Sequence, residues 1–352
     1  MIDLDDPKVY TRLDPMEMRE RIRELPQQCL QAWQKGLDLK LPTDYSNMQK
    51  LVILGMGGSA IGGDLLRHLY TEGKALIFID REYDLPPLVD ADTIVVASSY
   101  SGRTEETLSA FTQAMETPAK KLVLTTGGEL KALAEHNDIP VYTIDYVAQP
   151  RAALAHSFFP LLGICQNLGI ISDKSADVAE MGEVLENLQV TIDDTCATSH
   201  NPAKQLAAKL HNHMVIIYSA GILSPVAQRW KTQINENSKA WAFYEIFSEL
   251  NHNAVVGYEF PPEMAEKAFI VLLRSQHLHR RILRRYEVTT EVLSQAKVSH
   301  ETVDAIGESA LSQMMSLILF GDWVSYYLAL LYEVDPSPVK VIDYVKKRLS
   351  ES

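Results

Sequence analysis

The chain has few cysteines and no surplus of positive charge. Its three cysteines, Cys29, Cys165 and Cys196, are odd in number, widely spaced and form no CxxC pair. This usage argues against a disulfide framework, is typical of a reducing cytoplasm and predicts that each cysteine is a small buried hydrophobe. The formal net charge of −13, with Lys and Arg dispersed along the chain, argues against nucleic acid or an anionic membrane as a partner.

The sequence also shows neither the pattern of a signal peptide nor that of a membrane span. The opening "MIDLDDPKVYTRLDP" is acidic and has no apolar core behind basic residues, unlike a signal peptide. We find no apolar run of roughly 18 residues, the length needed to cross a bilayer. We therefore expect a cytoplasmic protein without a membrane partner.

The first half of the chain alternates strand-like and helix-like patterns. At 352 residues and 46% hydrophobic content, it can bury two domains or one large α/β unit. Helical patterns separate short apolar runs, which begin at residues 51, 75, 93, 121 and 141. Such alternation predicts a parallel sheet covered on both faces.

A helical bridge over residues 151–212 precedes a second α/β half. At residue 214, "MVIIYSAGILSPVAQRW" repeats the order of strand, glycine turn and helix, and "AFIVLLR" at 268 is another strand. We predict an α/β fold with two parallel-sheet subdomains, an N-terminal helical segment and C-terminal helices. The predicted division is residues 1–155 and residues 156–352, with the bridge in the second part.

A glycine-rich stretch, "LVILGMGGSAIGGDLLRHL", begins at residue 51 and joins a strand to a helix. Gly55, Gly57 and Ala60 fit the GxGxxG/A spacing of a dinucleotide site, and Asp80 ends the next strand where a ribose-binding acid would sit. The spacing alone is weak evidence, because any tight turn between strand and helix favours glycine.

A second loop, "VVASSYSGRTEETLSAF" from residue 95, is rich in hydroxyls. Ser98, Ser99, Ser101 and Thr104 precede the start of a helix, where free N–H groups and the helix dipole favour an anion. The alternative is an ordinary helix cap, with acidic residues in the first turn. Four hydroxyls in seven residues are more than a cap requires.

The two loops should converge at the carboxyl ends of neighbouring parallel strands, where open α/β sheets bind ligands. The glycines would let backbone approach a phosphate, and Ser59 is a further contact. We predict phosphate binding by the following residues: Gly57, Gly58, Ser59, Ser99, Ser101 and Thr104.

At this point the chain resembles the sugar isomerase (SIS) family, whose phosphosugar sites use a Ser/Thr-rich loop of this kind. "PRAAL" at 150, "RWKTQINENSKAWAF" at 229 and "SELNHNAVVGYE" at 248 narrow the resemblance to the bifunctional phosphoglucose/phosphomannose isomerases. It covers nearly the whole chain in order. The resemblance implies two SIS-type subdomains, which are flavodoxin-like αβα sandwiches, and a homodimer.

The resemblance also implies an activity. It is metal-independent and cofactor-free interconversion of glucose 6-phosphate and mannose 6-phosphate with fructose 6-phosphate through a cis-enediol(ate), in glycolysis and gluconeogenesis. Glu236 matches the base, and Arg151 the arginine that faces the enediolate. His252 would assist ring opening from the partner subunit, and Lys340 would lie near the ring oxygen.

Taken without the resemblance, each of these residues has an ordinary alternative. Glu236 could be an exposed loop carboxylate, and His252 a surface or turn histidine. Arg151 could form a salt bridge at a helix start, and Lys340 could lie on a solvated helix face. Two positions depart from the family pattern: Arg103, which adds a cation beside the hydroxyl loop, and Ala254, which replaces a common glutamate.

Other functions remain open at this stage. "HNH" at 211 and "HLH" at 277 would each place two histidines on one face only in a strand, and no HExxH motif or cysteine cluster supports a metal. A non-catalytic phosphosugar sensor is an alternative. Such regulators usually carry a DNA-binding module, and neither terminus has the basic recognition helix of one. A nicotinamide-dependent oxidoreductase is the other alternative.

Overall fold

The computed structural model describes residues 2–46, 48–70, 75–349 and 351, which form two compact units. The first-sheet unit comprises Glu24–Glu183 and Glu308–Ser312. The second-sheet unit comprises Met1–Arg23, Val184–Gly307 and Gln313–Ser352. The predicted boundary after residue 155 therefore falls inside the first-sheet unit, and the first 23 residues belong to the other unit.

Helices and strands alternate through most of the described chain. The helices are α1 Pro7–Leu13, α2 Met18–Arg23, α3 Leu25–Leu37, α4 Gly57–Leu69, α5 Glu105–Met115, α6 Gly128–His136, α7 Leu154–Asn167, α8 Ser175–Ile192, α9 Pro202–Leu210, α10 Ser224–Asn237, α11 Pro262–Lys267, α12 Arg280–Gln295, α13 Ala310–Leu331 and α14 Lys340–Leu349. The strands are β1 Lys50–Leu54, β2 Leu76–Asp80, β3 Thr93–Ser98, β4 Lys120–Thr125, β5 Val141–Thr143, β6 Met214–Ser219, β7 Ala242–Ile246, β8 Ala268–Arg274 and β9 Ser299–Asp304.

The first sheet has five parallel strands in the order β2-β1-β3-β4-β5. This is the flavodoxin-like order, whose ligand crevice lies where the chain switches direction between β1 and β3. The two central strands are buried along almost their whole length, because helices cover both faces. Val52, Val95 and Val123 pack with Phe111 of α5 in the core. The five predicted strands are confirmed.

The second sheet has four parallel strands in the order β7-β6-β8-β9. Its order repeats that of the first four strands of the other sheet, so the predicted α/β class with two parallel sheets is confirmed. Strands β6 and β8 were expected from their apolar runs. The edge strands β7 and β9 were not, since "AFYEI" and "SHETVD" are short and partly polar, with β7 largely exposed and β9 largely half-buried.

Helix α13 corrects the expectation that no segment is long and apolar enough to span a membrane. It runs for 22 residues with a mean hydropathy of 1.5 in its most apolar window, which meets that test by length and composition alone. All of that window is buried inside the protein. The helix is a core element, since Trp230 of α10 donates to the Leu317 carbonyl at 2.8 Å.

The cysteines differ from one another in burial. Cys29 and Cys165 are buried, as expected, whereas Cys196 is partly exposed, so the prediction for Cys196 was wrong. Burial raises the pKa of the Cys165 thiol to about 12. That thiol is therefore protonated and inert at neutral pH.

Candidate active site

The two predicted ligand loops meet at the switch point of the first sheet. Strand β1 ends at Leu54 and β3 at Ser98, and the two strands are paired in parallel register. The segment leading into α4 and the segment leading into α5 therefore leave the same edge of the sheet side by side. This is the crevice position expected for a ligand in a flavodoxin-like fold.

The glycines of the first loop allow close backbone approach. A Cβ on Gly55 would lie 2.8 Å from the Ser98 carbonyl oxygen, and one on Gly58 would lie 3.0 Å from the Pro150 carbonyl oxygen. Gly57 has a φ of +48°, a left-handed conformation that favours glycine. The glycines thus hold the start of α4 against β3 and against the turn that contains Pro150.

The hydroxyls of the two loops are linked to one another. The Oγ of Ser99 and the Oγ1 of Thr104 are 2.9 Å apart and hydrogen bonded. The Oγ of Ser59 accepts from the backbone N–H of Tyr100 at 3.1 Å. Ser59 and Ser99 are both buried, whereas Ser101 is exposed and accepts from the Arg103 N–H at 3.3 Å. Ser59, Ser99 and Thr104 are therefore brought together, and Ser101 lies on the outer side of the loop.

An ordinary helix cap, the alternative considered for this loop, does not account for its hydrogen bonds. Thr104 occupies the N-cap position of α5, yet its side chain makes no capping hydrogen bond and pairs with Ser99 instead. The first amides of a helix have no partner within it. The start of α5 consequently offers N–H groups and hydroxyls to the same crevice.

Gly102 closes the hydroxyl loop against the next connection of the sheet. Its φ is +63°, and a Cβ there would lie 1.8 Å from the Gly127 carbonyl oxygen. The Gly102 carbonyl in turn accepts from the Leu130 N–H at 3.0 Å. The loop is thus fixed on the start of α6.

Arg151 lies at the same edge of the first-sheet unit. It belongs to a 3₁₀ turn, Pro150–Ala152, and is only 4% exposed. The close approach of Gly58 to Pro150 sets the start of α4 beside this turn. The hydroxyl loop, the glycine turn and the Arg151 turn therefore form one cluster within this unit.

The corresponding switch point of the second sheet, between β6 and β8, is filled by protein. Leu278 follows β8, is 7% exposed and lies against Gly221, whose Cβ position would be 3.2 Å from its side chain. The Ser275 Oγ donates to Gln313 at 2.5 Å. After β8, a leucine thus stands where the first sheet has its hydroxyl loop after β3.

Glu236 lies in the last turn of α10 and is half-buried, so the alternative of an exposed loop carboxylate was wrong. One face of α10 holds this helix against α13. Arg229 pairs with buried Asp322 at 2.6 Å, Gln233 donates to the same carboxylate at 3.0 Å, and Asn237 donates to Ser325 at 3.0 Å. These three residues are four apart and share one helix face. Glu236 stands three residues after Gln233 and seven after Arg229, so it borders the same face.

Lys340 is the exposed first residue of α14. The turn before it is tied to the end of α10 by Lys239, whose Nζ donates to the Glu236 carbonyl at 2.6 Å and to the Pro336 carbonyl at 3.0 Å. Lys239 adopts a φ of +55° just after the helix, a position where glycine is preferred. Lys239 stands with Glu236 in the "NENSK" motif, but its bond to the Pro336 carbonyl could not be read from the sequence.

His252 is exposed at the end of a 3₁₀ turn, Glu249–His252, that follows β7. Asn253 turns back on this segment, since its Nδ2 donates to the Glu249 Oε1 at 2.9 Å. Ala254, one of the departures from the family pattern, begins the next 3₁₀ turn.

The histidine pairs do not lie in strands. The His211 ring packs on Tyr332 with centroids 4.7 Å apart, and His213 packs edge-on against Phe269 at 5.8 Å. His277 and His279 lie in the turn between β8 and α12. Among the residues that the structure describes, no group of three or more His, Cys, Asp or Glu side chains is arranged to hold a metal ion.

Comparisons with known proteins identify the family of the chain. Residues 199–349 match the model of the bacterial phospho-glucose isomerase C-terminal SIS domain. A bifunctional phosphoglucose/phosphomannose isomerase of Caldicellulosiruptor bescii is 42% identical over 95% of this chain and 99% of its own length. The chain belongs to the bifunctional phosphoglucose/phosphomannose isomerase family.

Further relatives extend this result. The bifunctional phosphoglucose/phosphomannose isomerase of Aquifex aeolicus is 34% identical over 88% of this chain and 92% of its own length. A solved structure of a glucose-6-phosphate isomerase like protein from Thermus thermophilus aligns with a TM-score of 0.67, covering 97% of this chain and all of that one. At 18% identity, this likeness to a solved structure supports the SIS fold alone.

Proposed function

We propose that this member of the bifunctional phosphoglucose/phosphomannose isomerase family interconverts glucose 6-phosphate and mannose 6-phosphate with fructose 6-phosphate. The observation that carries the proposal is the hydrogen-bonded pair of hydroxyls on buried Ser99 and half-buried Thr104, 2.9 Å apart at the β1/β3 switch point. A neutral cradle of hydroxyls and helix N–H groups is suited to a phosphate monoester. Gly57, Gly58, Ser59 and Ser101 complete the proposed phosphate site.

The chemistry we propose is proton transfer between neighbouring carbons. Glu236 removes the proton from C2 of the open aldose and returns it to C1, while a proton passes from the C2 hydroxyl to the C1 oxygen. Such a positioned base contributes roughly 10²–10⁴-fold to rate. Arg151 stabilises the negative charge of the enediolate, an effect that is often the largest in such reactions. His252 and Lys340 open the sugar ring.

Both epimers can share these groups. Glucose and mannose 6-phosphates differ only at C2, and removal of the C2 proton gives a planar enediol common to both. Return of the proton to either face of C2 then yields either aldose. One base therefore suffices for both substrates if the enediol can present either face.

We further propose a homodimer in which His252 serves the partner's site. Edge strand β7, which precedes His252 in the chain, exposes apolar side chains on Phe243 and Tyr244, with Trp241 beside them at 77% exposure. A bare apolar sheet edge in a stable protein is normally covered. A second copy of the chain would cover this edge. We also propose a cytoplasmic location and a role in glycolysis and gluconeogenesis, which fit the cysteine usage and the substrates.

Substitution of the proposed base tests the catalytic assignment. Glu236→Gln should lower turnover of fructose 6-phosphate by at least about 10²-fold, while calorimetry should still detect sugar phosphate binding. Glu287→Gln is the matched control, since Glu287 is an exposed carboxylate of the same unit that pairs with Arg284 at 2.5 Å. Full turnover by Glu236→Gln would exclude Glu236 as the base.

A mixing experiment tests the shared site. Glu236→Gln and His252→Ala proteins, each inactive alone, should regain about a quarter of wild-type activity when their subunits are exchanged, because half of the dimers then carry one intact site. A mixture that exchanges subunits but stays inactive would contradict the contribution of His252 across the interface.

A further inference from the structure

Tyr100 stands in the middle of the hydroxyl loop, between two of the proposed phosphate ligands, but its own side chain points to another segment. Its backbone is held on both sides. The Tyr100 N–H donates to the Ser59 Oγ at 3.1 Å, and the Tyr100 carbonyl accepts from the Thr126 N–H at 3.0 Å and from the Thr126 Oγ1 at 2.7 Å. The position of this residue is thus set by Ser59 at the start of α4 and by Thr126 after β4.

The phenol of Tyr100 makes two hydrogen bonds to the chain that leads to Arg151. Its OH donates to the Tyr146 carbonyl at 2.5 Å and accepts from the Ala148 N–H at 2.8 Å. Both partners are backbone groups, so these bonds fix the path of the chain itself. The 3₁₀ turn that holds Arg151 begins two residues after Ala148.

The far side of this segment is also anchored. The Tyr146 OH donates to Glu24 at 2.8 Å and accepts from Gln28 at 2.7 Å, and its ring stacks on His156 with centroids 4.9 Å apart. These contacts hold the segment to helices α3 and α7. The bonds from Tyr100 connect it to the hydroxyl loop.

We propose that Tyr100 is a positioning residue that sets Arg151 relative to the bound phosphate. The inference rests on the proposed roles of the hydroxyl loop and of Arg151. The phosphate fixes one end of the substrate, and the reacting carbons C1 and C2 lie at the other end. The guanidinium must therefore be held at a set distance from the phosphate loop, and the Tyr100 phenol spans the two.

The test is the Tyr100→Phe substitution, which removes one hydroxyl and keeps the ring. The matched control is Tyr45→Phe, because the Tyr45 OH donates to the Lys121 carbonyl at 2.7 Å in the same unit but away from the site. Steady-state kinetics with fructose 6-phosphate give kcat and KM, and inorganic phosphate serves as a competitive probe of the phosphate loop.

For Tyr100→Phe we expect kcat to fall about 10- to 100-fold, as misplacement of a catalytic group by roughly 1 Å does elsewhere. KM and inhibition by phosphate should stay within about twofold, because the loop hydroxyls remain. Tyr45→Phe should keep the wild-type kcat. A kcat for Tyr100→Phe equal to that of Tyr45→Phe would overturn the inference, and so would a raised KM at unchanged kcat.

Hydrogen–deuterium exchange separates this inference from the proposed function. In Tyr100→Phe the amides of residues 146–151 should exchange faster, while those of residues 99–104 keep their protection. Unchanged exchange in residues 146–151 would overturn the positioning role even in an active enzyme. If exchange changes in Tyr100→Phe as expected but the wild-type protein isomerises no sugar phosphate, the proposed function is refuted instead.

Discussion

Replacement of Gly102 by alanine should disrupt the hydroxyl loop more than any other small change in it. The new Cβ would lie 1.8 Å from the Gly127 carbonyl oxygen and 2.9 Å from the Thr125 Oγ1. The obstructing atom is backbone, which is itself held by α6, so neither side can move away cheaply. The residue also has a φ of +63°, which alanine adopts only with strain.

The expected cost can be worked out from two contributions. A left-handed conformation costs a residue with a Cβ about 1–2 kcal/mol. Overpacking against a fixed neighbour costs roughly 1–3 kcal/mol more. We therefore expect the free energy of unfolding to fall by about 2–5 kcal/mol in Gly102→Ala, or the loop to rearrange locally at a similar cost.

Two matched variants separate these contributions. Gly57 has a φ of +48° but open space around its Cβ position, so Gly57→Ala should show only the conformational cost of about 1–2 kcal/mol. Gly127 has neither a clash nor a left-handed φ, so Gly127→Ala should be nearly neutral. Urea unfolding followed by circular dichroism measures the stabilities, and hydrogen exchange in β3 and β4 locates the effect. Equal costs for Gly102→Ala and Gly127→Ala would refute the reasoning.

Two further predictions follow from the same unit. Burial, helped by Lys35, lowers the pKa of His156 to about 4 from its ordinary 6.5, so the unfolded histidine takes up a proton at a higher pH than the folded one. The free energy of unfolding should thus decline as pH falls from 6.5 to about 4, by at most about 3 kcal/mol. Urea unfolding of His156→Phe should show a shallower decline with pH. Equal slopes for the two proteins would contradict the assignment. Ser99→Ala removes the bond to Thr104 and one to the Gly102 N–H, so we expect the KM for fructose 6-phosphate to rise about 5- to 30-fold, with Ser109→Ala on α5 as the control. An unchanged KM would exclude Ser99 from the phosphate site.

The central strands and both ligand loops could be predicted because their signals are local. Apolar runs specify the buried strands, and the glycines and hydroxyls follow those strands directly in the chain. The parallel arrangement then brings the loops to one edge. Strands β7 and β9 escaped prediction because an edge strand needs little apolar sequence of its own and forms by pairing with a buried neighbour.

Long-range polar contacts could not be read from the chain. The partners of Tyr100 lie 46 and 48 residues away, and the pairing of Arg229 with Asp322 spans 93 residues. An aspartate inside the apolar helix α13 signals a buried partner, but its identity depends on how α10 packs. The first residues of the chain also belong to the second-sheet unit because of such contacts, which the sequence does not reveal. Buried Lys204, for example, donates to the Leu4 carbonyl at 2.9 Å.

The measurement that tests the central claim most directly is NMR of fructose 6-phosphate incubated with the purified, EDTA-treated protein in D₂O. We predict that glucose 6-phosphate and mannose 6-phosphate appear together, each carrying deuterium at C2, because a base-catalysed enediol exchanges its proton with solvent. Appearance of glucose 6-phosphate alone would contradict the dual activity. No product and no deuterium uptake would contradict isomerisation itself and favour a phosphosugar sensor.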